Sequence, residues 1–180
     1  MITMPQLLLI AGTGQNTGKT TLACRIIEKF SASHPVVALK ISPHFHKNVH
    51  SGIVHLNKPY LYLAEEVDPE TGKDSSRMLE AGAVKSFFAM TTDEFLPETL
   101  EQVLEHIPSG SLLVCESGGL RNFVVPGLFL MMNNRGTEVV KPKSERLLRL
   151  ADRIISFDGE KYDFDIASIE VKDNQWKIKD

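Results

Sequence analysis

Cysteine is scarce in this chain. It occurs twice, at Cys24 and Cys115, each inside an apolar stretch and far from the other. That spacing excludes a disulfide framework and a Cys-x-x-Cys metal site, and both thiols read as reduced core residues of a cytosolic protein. A surplus of positive charge is missing too. Lys and Arg number 20 against 23 Asp and Glu, for a formal charge of −3, and the basic residues are dispersed, so no broad nucleic-acid surface is expected. No apolar run is long enough to span a membrane. The first, Leu7–Ala11, is only about five residues and leads into glycines, so neither a signal peptide nor a transmembrane segment is expected and the setting reads as cytoplasmic. Repeats, low-complexity tracts and linker-like composition are absent as well. A chain of 180 residues with 42% hydrophobic and 24% charged side chains therefore reads as a single domain over 1–180 with a proper core.

What is present is a glycine-rich turn between two apolar elements. Leu7-Leu8-Leu9-Ile10-Ala11 is a short strand, and Leu22, Ile26, Ile27 and Phe30 recur at helical spacing soon afterwards. Between them runs Gly12-Thr13-Gly14-Gln15-Asn16-Thr17-Gly18-Lys19-Thr20-Thr21, which ends as a phosphate-binding loop does. Glycines let backbone N–H groups turn inward on phosphate oxygens with no Cβ in the way. Lys19 would reach the β- and γ-phosphates, the Thr20 hydroxyl would bind Mg²⁺, and the helix would aim its N-terminus at the charge. Gly12, Gly14, Asn16, Thr17, Gly18 and Thr21 complete the cradle. The usual GxxxxGK(S/T) pattern needs glycine where this chain has Thr13; Gly12 stands one residue earlier, so the loop is one residue longer. The plain alternative is a Gly-rich turn with no ligand.

Along the rest of the chain, strands and helices alternate. Strands are expected at Val36–Ile41, Phe87–Met90, Ser111–Cys115, Leu128–Met132 and Arg153–Phe157, and helices at Thr20–Phe30, Asp74–Ala83, from Pro97 and at Ser144–Ala151. In the helix from Pro97, Leu100, Val103, Leu104 and Ile107 form an apolar stripe. Ile166–Val171 and Gln175–Lys179 read as a hairpin around Lys172-Asp173-Asn174. Ser42 to about Gly72 reads as a long irregular connection. The alternation implies a mainly parallel sheet with helices on both faces, and ligands gather beyond the carboxyl ends of such strands. That edge would collect Gly12–Thr20, Lys40, Glu116–Arg121 and the residues after Met132.

Glu116 ends a buried strand and precedes Ser117-Gly118-Gly119. A carboxylate there can accept from Mg²⁺-bound water or orient a nucleophile, whereas the bland alternative is a strand-end acid with a Gly turn. Asp68, Glu70 and Asp74 cluster near Gly72-Lys73. One of them could meet Mg²⁺ or sense the γ-phosphate, and Asp74 or Ser75 could equally be the helix cap. Lys40 could offset phosphate charge or be a solvated strand-end lysine. His44, His46, His50 and His55 are too loosely spaced to define a tetrahedral metal site, and an anionic ligand suits them better. Asn133-Asn134-Arg135-Gly136 does not match the NKxD segment of guanine-specific NTPases, so the base is not readable.

Taken together, several segments resemble the GTP-binding molybdopterin-guanine dinucleotide biosynthesis protein B family. They are Asn16-Thr17-Gly18-Lys19-Thr20-Thr21 for its NSGKTT-like loop, Lys40 followed by His44 and His46, and Gly72-Lys73-Asp74-Ser75-Ser76-Arg77 through Ala81-Gly82-Ala83. Cys115-Glu116-Ser117-Gly118 is similar to its strand-end VEG segment, with Arg121 and Pro126 near its basic residue and proline. The likeness runs over residues 7 to about 130. It implies a three-layer P-loop NTPase fold and an accessory protein that binds GTP and hydrolyses it weakly. It also implies a dimer beside the enzyme that attaches GMP to molybdopterin, with Lys19 and Thr20 on phosphate and Mg²⁺ and with Asp74 and Glu116 around the metal. Three features differ. The longer loop resembles the GTxTxVGKT pattern of dethiobiotin synthetase-like enzymes, the segment from His46 to Gly72 is expanded, and Glu116-Ser117-Gly118-Gly119 is closer to the ESGG of urease and hydrogenase maturation GTPases. An ATP-dependent small-molecule kinase or ligase and a metal-delivery GTPase therefore stay open as alternatives.

Overall fold

The structure, a computed structural model, describes residues 1–45, 52–133 and 142–179. Its strands are β1 (Ile2–Gly12), β2 (Val36–Ser42), β3 (Ile53–Lys58), β4 (Leu61–Glu66), β5 (Lys85–Thr91), β6 (Leu112–Glu116), β7 (Val124–Asn133) and β8 (Arg153–Ser156). These make one eight-stranded sheet in the order β3-β4-β5-β2-β6-β1-β7-β8. Pairing is parallel from β5 across to β8 and antiparallel at the β3–β4–β5 end. Central strands of a parallel sheet are covered on both sides, which is why β1, β2 and β6 are written as continuous apolar runs.

Alternation along each strand divides the core in two. Leu7, Leu9 and Ala11 of β1 face a cluster shared with Leu96, Leu100 and Val103 of α3 (Leu96–Leu104) and with Leu147 of α4 (Pro142–Leu150). Leu8 and Ile10 face the opposite cluster. There they meet Leu22, Ile26, Ile27 and Phe30 of α1 (Lys19–Ser31), Met78 of α2 (Asp74–Glu80), and a separate hairpin of β9 (Ile169–Lys172) and β10 (Gln175–Ile178). The architecture is thus α/β, with helices on both faces of a mostly parallel sheet and a C-terminal antiparallel hairpin. No described helix is long and apolar enough to cross a membrane.

Three local expectations change. The connection from Ser42 to Gly72 is not irregular throughout, since β3 and β4 form an antiparallel pair around Pro59-Tyr60. Leu61, Tyr62, Leu63 and Ala64 are buried on both faces and so show no alternation, while β3 is an exposed edge strand with polar residues. In α3 the buried stripe uses Thr99, whose Oγ1 donates to the Phe95 carbonyl at 2.8 Å, and Leu104 points outward. Ile166–Ser168 is a single 3₁₀ turn before the hairpin, not part of its first strand.

The hairpin turns at Asp173 (φ 53°) and Asn174 (φ 58°), residue types that tolerate the left-handed region a two-residue hairpin loop requires. Its docking rests on Trp176. The indole is 1% exposed, meets Phe30 edge-on at 4.9 Å, and donates Nε1–H to the Gln6 carbonyl at 2.9 Å. Lys29, in the last turn of α1, donates to the Ile166 carbonyl at 2.6 Å beside it. Truncating a buried aromatic costs about 3–5 kcal/mol, a large share of a domain's total stability. Trp176→Ala should lower the denaturant midpoint accordingly, read by urea unfolding followed by circular dichroism. An unchanged midpoint would mean that the hairpin is not part of the cooperative core.

Candidate functional site

Register brings the site together. Glu116 of β6 lies beside Ile10 of β1 on one side and Lys40 of β2 on the other. Both Glu116 and Lys40 continue the sheet face that packs α1 and α2, because Val114 and Ala38, two residues earlier, belong to that core. Their side chains therefore reach the carboxyl edge where α1 and α2 begin.

Four side chains close on one another there. Thr20 donates Oγ1–H to Glu116 Oε2 at 2.7 Å. The Lys40 ammonium bridges Glu116 Oε1 and Asp74 Oδ2, the latter at 2.9 Å. Arg77 of α2 donates Nη2–H to Thr21 Oγ1 at 3.1 Å, with Nη1 3.9 Å from Asp74. Lys40 is thus a paired cation with a side chain 17% exposed, not a solvated strand-end lysine. Nor is Asp74 the helix cap: Lys73 holds that position without a side-chain bond, and Ser75 donates to the buried Glu66 instead. Lys40 outcompetes the cap role because it offers the Asp74 carboxylate a full charge in a half-buried place.

The loop before α1 is held by its own lysine. Lys19 Nζ donates to the Gly14 carbonyl at 2.7 Å and to Thr17 Oγ1 at 3.1 Å. Gly12 makes this fold possible, since a Cβ there would lie 2.9 Å from Thr17 Oγ1 and 3.0 Å from Lys19 Cδ. Asn16 (φ 54°) and Gly18 (φ 79°) take left-handed conformations that turn the loop into the helix. Every residue from Gly12 to Thr21, together with Lys40, Asp74 and Glu116, lines one cleft of about 860 Å³.

Burial and charge set the protonation states. Burial lowers the pKa of the Lys19 ammonium against the opposing pull of Glu116. Burial would also lower that of Lys40, but Glu116 and Asp74 outweigh it and the value is raised. Burial would raise that of Asp74, yet Lys40, the nearby Thr20 hydroxyl and Arg77 bring it down. Burial pushes the Cys24 thiol up to about 11, so it is not a reactive thiolate. For the Asp74–Lys40 pair the sign follows directly. Its contribution is complete above the ordinary carboxylate value of about 3.9 and is lost as pH falls through the depressed value; at the alkaline end it persists past the ordinary lysine value of about 10.4. Wild type should therefore melt above Asp74→Asn at neutral pH, with the gap closing on acidification below about pH 4. A gap that stays constant across that range would show that the ion pair contributes nothing.

Several expected residues lie elsewhere. Asp68 accepts from the Glu70 amide at 2.9 Å and shapes the turn before α2, and neither residue lines the cleft. His55 belongs to β3, where it pairs with Glu65 at 3.0 Å and stacks on His106. His44 does line the cleft, while His46, His50 and Asn134 through Gly136 fall outside the described residues. Arg121 leaves the cleft, donating to the Val124 carbonyl at 3.1 Å over the Phe129 ring. Among the described residues no group of three His, Cys, Asp or Glu is arranged for a metal.

Other residues enter that the sequence reading missed. Thr91 ends β5 and Asp93 follows it, packing so closely on Gly119 that a Cβ there would sit 2.5 Å from Oδ1. Phe157 follows β8 at the cleft wall. Both obey the rule that ligand groups gather after strand carboxyl ends, which could have found them. Tyr162, whose hydroxyl donates to the Gly18 carbonyl at 2.9 Å, had no sequence signal.

Comparisons with models of known families, with curated proteins and with solved structures each return no match.

Proposed function

We propose that this chain is a P-loop GTP-binding protein with weak Mg²⁺-dependent GTPase activity, an accessory of molybdopterin guanine dinucleotide biosynthesis. The observation that carries the reading is the convergence of Thr20, Glu116, Lys40 and Asp74 beside the Gly12–Thr21 loop. The donor set suits Mg²⁺: a hydroxyl and two carboxylates are hard oxygen groups, and Mg²⁺ usually takes few protein ligands. Thr20 would hold it, with Glu116 and Asp74 around it, and once bound it would offset phosphate charge as a Lewis acid. The loop amides and Lys19 would bind the terminal phosphates. Water would attack Pγ in line with the departing β-phosphate oxygen, oriented by Glu116, as the Pβ–O–Pγ bridge breaks at the γ side. Lys19 would meet the charge growing on the leaving oxygen. The family resemblance implies a homodimer beside a molybdopterin cofactor-synthesis enzyme, and the composition implies a cytoplasmic setting with no nucleic acid or membrane partner.

Isothermal titration with GTP and ATP, each with and without Mg²⁺, tests this. Mg²⁺-dependent binding of GTP supports it, and no binding of either nucleotide overturns it. One observation favours a second reading, an ATP-dependent kinase or ligase of the dethiobiotin synthetase type. The cleft continues past Glu116 to Thr91 and Asp93, where an acceptor substrate could sit. ATP turnover that appears only with a small metabolite would select that reading.

A further inference from the structure

We infer that Phe157 is the platform on which the base of a bound nucleotide stacks, a reading that rests on nucleotide binding in the same cleft. The sheet order lays out the carboxyl edge as a line: Asp93 after β5, Lys40 on β2, Glu116 on β6, the phosphate-binding loop after β1, then Phe157 after β8. Lys19 and the loop amides would hold the terminal phosphates near the middle of that line. The rest of the nucleotide must extend toward one end. The Asp93 end offers a carboxylate, which repels phosphate, and the aliphatic Leu96, with no aromatic ring among the described residues that line the cleft there. The β8 end offers a benzene ring in a cleft otherwise lined mainly by small, polar and charged groups.

The ring is built into place. Phe157 stacks on Tyr162 with centroids 4.6 Å apart and planes at 27°. Tyr162 is itself fixed by its hydrogen bond to the Gly18 carbonyl and by Arg25, whose guanidinium carbon lies 5.1 Å over the ring. Phe157 presses so closely on the phosphate-binding loop that a Cβ on Gly18 would come within 2.8 Å of its Cδ1. The following turn is closed by Asp158 Oδ1, which accepts from the amides of Glu160 at 2.9 Å and Lys161 at 2.8 Å. An aromatic face joined this rigidly to a phosphate cradle is what a nucleobase needs, and stacking of this kind accepts any base, purines best by area.

Binding of Mg²⁺–GTP, Mg²⁺–ATP and inorganic tripolyphosphate is to be compared in wild type, Phe157→Ala and Phe157→Trp. Wild type should bind both nucleotides more tightly than tripolyphosphate. Phe157→Ala should weaken both nucleotides about 10- to 100-fold while tripolyphosphate is unchanged. Phe157→Trp should keep nucleotide affinity, and its added emission should be quenched by nucleotide and not by tripolyphosphate; this also serves if Phe157→Ala does not fold. Equal weakening of all three ligands in Phe157→Ala would overturn the inference, because the ring would then only support Gly18. So would nucleotide affinity that is unaffected, or wild type binding nucleotide no better than tripolyphosphate. Wild type binding neither nucleotide nor tripolyphosphate would instead sink the nucleotide reading, and this inference with it.

Discussion

Replacing Lys19 with alanine should abolish measurable nucleotide binding, a loss of at least about 100-fold in calorimetry with Mg²⁺–GTP. The size follows from what the ammonium does. A charge-assisted hydrogen bond contributes about 1.5–3 kcal/mol, and Lys19 would make such bonds to two phosphate groups in a partly buried cleft. The fold should survive. Among the described residues Lys19 holds only the Gly14 carbonyl and the Thr17 hydroxyl of its own loop, and alanine is a good residue for the first turn of α1. The melting midpoint of the unliganded variant should therefore stay close to that of wild type. Affinity retained by Lys19→Ala in the same titration would mean that the loop does not bind phosphate through this residue.

Glu116→Gln should separate binding from turnover. The amide keeps the shape of the carboxylate, and its oxygen can still accept from Thr20. Lys40 loses one partner but keeps Asp74 at 2.9 Å, so no buried ammonium is left unpaired. Nucleotide affinity should change only a few-fold. Phosphate release should fall about 100- to 1,000-fold, the range for removing a group that orients a nucleophile or stabilises developing charge. Steady-state phosphate release beside calorimetry on the same preparation reads both quantities. Unaltered turnover would reduce Glu116 to an anchor for Thr20 and Lys40.

These two experiments probe residues that could be picked out from the chain alone, and the reason is local. Gly18-Lys19-Thr20-Thr21 carries its proposed function in consecutive residues, and Glu116 announces itself by ending a strand with no other charge. The elements were legible where burial is one-sided or complete over a run, as in α1 and β6. They were not legible at β3 and β4, where a polar edge strand and Pro59 precede an apolar run of only four residues, Leu61 through Ala64, that ends at Glu65-Glu66. Asp74 shows the same limit at the level of a single side chain. An acidic residue opening a helix reads as a cap. Here a lysine 34 positions earlier, brought alongside by the sheet, binds its carboxylate instead.

By itself the sequence determined the alternating α/β pattern, the hairpin turn at Asp173-Asn174 and the composition of the glycine loop, because these depend on neighbours within a few residues. Tertiary structure alone decided that Lys40, Asp74 and Glu116 meet over Thr20, since that depends on the order in which β2, β6 and β1 lie side by side. It alone decided that Trp176 covers Phe30, and that Phe157 and Tyr162 press on Gly18 from some 140 residues away. Such contacts join segments whose separation along the chain carries no periodic signal. They form because burying an aromatic ring against α1 and the sheet removes apolar surface from water, whichever part of the chain supplies the ring.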